Sequence, residues 1–183
     1  MKFVSRITSS LLLAAVAAAI LSAPAAAKTA KAAPLTDANI AAIVLAANTI
    51  DIDNAQVALK TSTDESVKSF AQMMVTDHTS VNDKAKALAG KLKLTPVPNA
   101  TSRGLLKSTG AKRAEMAKLT GGAFDKAYLD NEISYHQAVL DMLDQKLVPG
   151  AKNSELKDLL TSVQPAFVAH LAKAKEARAA LKD

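Results

Sequence analysis

The chain has 183 residues, a formal charge of +6, no cysteine and only 3% aromatic residues. Without cysteine it has neither disulfide staples nor a thiol nucleophile, so apolar packing must hold the fold. The positive excess lacks the interleaved aromatics of a single-strand-binding platform, and nucleic acid is not an expected partner.

Lys2 and Arg6 precede an apolar run, Leu11–Leu21, and Ala25 and Ala27 follow at A-x-A spacing. This is the pattern of a secretory signal peptide over residues 1–27, with cleavage after Ala27. The run is shorter than the ~20 residues that cross a bilayer. No transmembrane segment is therefore expected after cleavage, and with no cysteine a lipoprotein anchor has no attachment residue. Export to the periplasm of a bacterial envelope is the expected location. Residues 28–35, rich in alanine and lysine, read as a flexible linker, and 36–183 as one helical domain.

The spacing predicts a first helix from about Thr36–Asp37, a good N-cap pair, to about Lys60. Its inward face carries Ile40, Val44, Ala47, Asp51, Asn54 and Ala58. A second helix runs from near Asp64 to near Leu94, before Pro96 and Pro98. Its seam is Val67, Phe70, Met74, His78, Val81, Ala85, Leu88 and Leu92, in steps of three and four. A shorter helix follows at about Ser102–Leu119, interrupted by Gly104 and Gly110. It is expected to cross an end or pack along one side. Gly121–Gly122 marks a break before a fourth helix, about Ala123–Leu147, with Leu129, Ile133, His136, Leu140, Leu143 and Leu147 inward and VPG at 148–150 ending it. The last helix, about Ser154–Leu181, turns Leu156, Leu160, Val163, Phe167, His170, Ala174 and Leu181 inward, and Pro165 should kink it. Lys173, Lys175, Arg178 and Lys182 near its end complement the helix dipole. Four long amphipathic helices with short connections predict an all-α antiparallel four-helix bundle with one additional short helix.

All three histidines, His78, His136 and His170, lie on apolar seams near the middle of three different helices. With an inward face covering ~3/7 of positions, chance would do this roughly one time in twelve. An offset of three residues is only ~4.5 Å along a helix, so the rings should share one central layer. The first helix adds Asp51 at a similar height. Neutral imidazole and carboxylate together suit a divalent transition metal: zinc, copper, iron or manganese. Nitrogens within ~4 Å of one another could share such an ion, whereas a separation above ~8 Å would exclude it. Asp77 and Glu132 flank the layer as candidates for orienting the ligands. A metal-free network of His–Asp hydrogen bonds satisfies the same buried groups. Tyr128 and Tyr135 read as interfacial packing with a hydroxyl to donate, and Met73 and Met74 as core rather than copper ligands.

Three segments carry a family resemblance: VKSFAQMMVTDHT at 67–79, GGAFDKAYLDNEISYHQAV at 121–139 and PAFVAHLAKA at 165–174. They resemble the DUF4142 family, exported bacterial proteins of unknown function assigned to the ferritin-like group of helical bundles. The resemblance covers about 36–180 and carries the family's three histidines onto His78, His136 and His170. Where the family pattern resembles E-x-E-x-G-x-x-A, this chain reads DIDNAQVA, with Asp51 in place of a Glu and Ala55 in place of the Gly. Ferritin chemistry is not implied. Carboxylate-bridged di-iron bundles use Glu-x-x-His pairs, and no glutamate here has a histidine three positions later. No recognisable nucleophile or phosphate loop appears either, which weighs against an enzyme without deciding it. Three readings follow: a bundle binding a metal through its histidine layer; a non-enzymatic envelope or stress-related protein acting through a partner protein or as a homo-oligomer; or, with the least support, an enzyme using a histidine as general base, which needs an open pocket at that layer.

Overall fold

The computed structural model describes residues 34–181. The signal peptide expected at 1–27 and all but the end of the linker lie outside the described residues. Those described are helical and include no strand.

Each start is set by a short polar residue. Thr36 caps α1 (Asp37–Thr61) through a reciprocal pair with Asn39, each side chain bonded to the other's backbone N–H at 3.2 and 3.3 Å. Asp37, expected to share the cap, instead accepts the Lys152 and Asn153 N–H groups at 2.7 and 3.0 Å, tying the start of α1 to the last loop. Asp64 caps α2 (Glu65–Lys91) by accepting from Ser66 and Val67. This helix stops three residues before Leu94, because Lys93 adopts a left-handed φ of 52° that ends the ladder.

The segment after α2 returns to the start of α1. Val97 N–H donates to the Ala38 carbonyl, and Asn99 Nδ2 to that of Asn39. Asn99 also caps α3 (Ala100–Met116), which begins two residues before the expected start at Ser102. The helix runs through Gly104 and Gly110 without the expected interruption. At its far end Arg113 meets Asp53 at 3.1 Å. Helix α3 thus packs along one side, parallel to α1, rather than crossing an end.

Helix α4 (Gly121–Met142) passes into a π turn, Leu143–Leu147, and one further helical turn, Val148–Gly150. The expected stop at VPG is therefore shifted past it. Proline has no N–H to place in the ladder, and the wider turn sits immediately before Pro149. Helix α5 (Ser154–Ala180), capped by Asn153, keeps its helical backbone through the exposed Pro165.

The four long helices form a ring, α1–α2–α5–α4, in which each neighbour is antiparallel. A three-residue turn, Ser62–Asp64, joins α1 to α2. Between α2 and α5, Lys91 pairs with Glu155 and Asp77 with His170. Between α4 and α5, Asp130 pairs with Arg178 and Asp144 with Gln164. Tyr135 Oη donates to the Ala47 carbonyl across α4 and α1 at 3.2 Å. In chain order the four core helices run up, down, down, up, with α3 as the return strap.

This topology splits the apolar core in two. One cluster gathers Ile40, Ile43, Leu140, Leu147, Leu160 and Phe167; the other gathers Ala58, Val67, Phe70, Met74, Phe124 and Leu129. Between them every core helix turns polar residues inward: Asn48, Asp51 and Asn54, then His78 and Asn82, then Glu132 and His136, then His170. Burying such groups costs several kcal/mol unless each finds a partner. The layer therefore needs an account other than packing.

Candidate metal centre

The three imidazoles meet at the centre of the ring of helices. Their ring centroids lie 5.2–5.6 Å apart, and one ligand atom of each lies within 4.8 Å of the others. That is well inside the ~8 Å limit for a shared ion. Bonds near ~2.1 Å at a tetrahedral angle place nitrogens roughly 3.4 Å apart, a spacing that falls within the same bound. His78 and His136 are fully buried and His170 is 3% exposed.

Each ring has one nitrogen committed outward. His78 Nδ1 lies 2.7 Å from Asn48 Oδ1. The Asn48 amide nitrogen donates to the Val44 carbonyl, so its oxygen must accept and Nδ1 carries the proton. His136 Nδ1 donates to the Glu132 carbonyl one turn earlier, at 3.0 Å. His170 Nε2 lies 2.9 Å from Asp77 Oδ2, a carboxylate that can only accept when ionised. The remaining nitrogens, His78 Nε2, His136 Nε2 and His170 Nδ1, are buried with no hydrogen-bond partner. On a neutral ring, each is a bare lone pair. Burial, reinforced by the neighbouring histidines, pushes His78 well below the usual histidine range. The same causes bring His136 down to about 4. Both rings are therefore neutral near pH 7, the form a metal requires.

Phe167 closes one side of the layer, with centroids 5.1, 5.8 and 6.0 Å from His78, His136 and His170. Against the layer sits a carboxyl pair from α1 and α4. Asp51 Oδ2 is 3.6 Å from His78 Nδ1, and Glu132 Oε2 is 3.6 Å from His136 Nδ1. Both side chains are fully buried, and all four oxygens lack a hydrogen-bond partner. Burial raises Asp51 well above the carboxylate range, and the adjacent Glu132 adds to it. Burial likewise lifts Glu132 to about 7, although the nearby Asp51, Asn131 and Asn54 side chains pull it back without hydrogen bonds of normal geometry.

All six residues singled out from the sequence thus converge, but in different positions. Asp51 approaches the committed nitrogen of His78 rather than the bare one. Asp77, half-exposed, orients His170. Glu132, read as a flanking residue, is as deeply buried as the histidines. Asn48 was missed, although the three-residue steps Asn48, Asp51, Asn54 on an apolar face mark a polar stripe. Met74 lies in the apolar core, Met73 is half-buried, and Tyr128 Oη is buried without a partner.

The fold is similar to that of a crystal structure of a candidate secreted protein, DUF305, from Streptomyces coelicolor. The two share 12% identity over 76% of this chain and 90% of that one, with a TM-score of 0.63. No curated protein matches the sequence. Residues 21–177 match the family described as a domain of unknown function, DUF4142, and the chain belongs to that family.

Proposed function

We propose that this protein is an exported, ferritin-like helical bundle that binds one transition-metal ion through His78, His136 and His170. The observation that carries this reading is the set of three bare, buried imidazole nitrogens, each on a ring whose other nitrogen is already held. Metal-binding histidines have this arrangement: the second N–H goes to a carboxylate, carbonyl or amide that fixes the tautomer and aims the ring. Here those partners are Asp77, the Glu132 carbonyl and Asn48. A metal-free network would leave three buried lone pairs without a protein partner, each at a cost of about 1–3 kcal/mol if left unsatisfied.

A nitrogen-only set suits copper or zinc best, with iron and manganese weaker. The up-down-down-up ring with one long return connection supports the ferritin-like assignment, since ferritin-like bundles have one such crossover. Export rests on the signal-peptide pattern of residues 1–27, and among the described residues no helix is long and apolar enough to cross a membrane. A periplasmic metal buffer or carrier fits these features.

Protein purified without an affinity tag, stripped and reloaded with zinc, copper, iron or manganese, should retain about one equivalent by elemental analysis. His78→Gln or His170→Gln should abolish retention of zinc and copper. Asp77→Asn should weaken it by about 10–100-fold, because it removes the group that orients His170. Retention below a tenth of an equivalent for every metal would overturn the proposal.

A further inference from the structure

The carboxyl pair raises a separate question. Asp51, Glu132 and His136 each offer a ligand atom within 4.8 Å of the other two, and all three are fully buried. None of the four carboxyl oxygens has a hydrogen-bond partner. Around them, Tyr128 Oη, Asn54 Nδ2 and Asn131 Nδ2 are buried and unpartnered as well. Two carboxylates so placed repel one another and have lost their water.

We infer that Asp51, Glu132 and His136 form a second cation position, suited to a harder divalent ion such as Mn²⁺ or Fe²⁺. It rests on the reading of the adjacent trihistidine site only in sharing His136. A divalent ion between two carboxylates is a neutral unit, which removes most of the penalty of burying charge. Oxygen-rich ligands favour manganese and iron, whereas the nitrogen-only set favours copper and zinc. The two positions exclude each other. The His136 nitrogen that approaches the carboxyl pair is Nδ1, 3.6 Å from Glu132 Oε2, and it donates to the Glu132 carbonyl when Nε2 serves the trihistidine site. A neutral imidazole has one lone pair, so ligation through Nδ1 puts the ring proton on Nε2 and removes that nitrogen from the trihistidine set. One chain therefore holds one ion, in whichever ligand field matches it.

The test titrates metal-free protein with Mn²⁺, followed by electron paramagnetic resonance. Wild type should bind one Mn²⁺ with a single nitrogen coupled to the metal. Asp51→Asn and Glu132→Gln should weaken that binding at least tenfold and keep zinc at the trihistidine site. The double variant His78→Gln, His170→Gln should keep Mn²⁺ while losing the trihistidine site. Wild type offered zinc and Mn²⁺ together should hold no more than one ion in total. Three coupled nitrogens, undetectable Mn²⁺ and Fe²⁺ binding, or unchanged affinity in the carboxylate variants would overturn the inference. Two ions held at once would overturn the exclusion. Should a variant fail to fold by circular dichroism, the nitrogen count in wild type still decides. Mn²⁺ bound through Asp51 and Glu132 in a protein with no zinc or copper site at His78 and His170 would support this inference and sink the trihistidine reading instead.

Discussion

Replacing Glu132 by glutamine should make the metal-free protein more stable above neutral pH. The Glu132 carboxyl rises from an ordinary 4.5 to about 7 on folding, chiefly through burial. Between those values the folded state holds a proton that the unfolded state has released. The stability associated with the protonated carboxyl is therefore fully present below pH 4.5 and lost as pH rises through 7. The rise is about 2.5 pH units at ~1.4 kcal/mol each, or about 3 kcal/mol in all. The side chain is fully buried, so solvent screening does not reduce this figure greatly. Glutamine keeps the shape and cannot ionise. His78 and His136 titrate in the opposite sense, costing stability as pH falls below 6.5, so the comparison must be variant against wild type at each pH. Urea unfolding of chelator-treated protein at pH 5 and pH 8 provides it. The stability of Glu132→Gln relative to wild type should rise by about 2–3 kcal/mol between the two. An equal effect at both pH values, or a variant less favoured at pH 8 than at pH 5, would refute the argument that a buried charge is tolerated rather than satisfied here.

Two further predictions concern packing and capping. Phe167→Ala removes a buried ring in contact with all three histidines and should cost about 3–5 kcal/mol in urea unfolding; a loss below ~1 kcal/mol would mean the layer does not depend on it. Asn99→Ala removes a cap that accepts from Thr101 and Ser102 and a tie to the Asn39 carbonyl. It should cost about 1–2 kcal/mol and speed amide exchange across α3 selectively, whereas unchanged exchange there would show that Arg113 and the packing of Leu105 and Met116 hold the strap without the cap.

The sequence alone determined that the described chain is helical, roughly where each long helix begins, and that three histidines and Asp51 face inward. These are local properties: capping chemistry acts within one turn, and the spacing of apolar residues sets a face regardless of what covers it. Gly104 and Gly110 show the limit of that locality, since an expected break disappears once Arg113 and Asn99 hold α3 against α1. Only the tertiary structure decided which imidazole nitrogen is bare. For His78 and His170 that choice depends on Asn48 and Asp77, side chains from other helices, and no periodicity encodes a hydrogen bond across 30 or 93 residues; only His136, bonded to the Glu132 carbonyl one turn earlier, is set within its own helix. The meeting of Asp51 with Glu132 has the same origin. Each lies correctly on its own helix, but their approach follows from α1 and α4 being neighbours in the ring, which the return of the chain through α3 imposes.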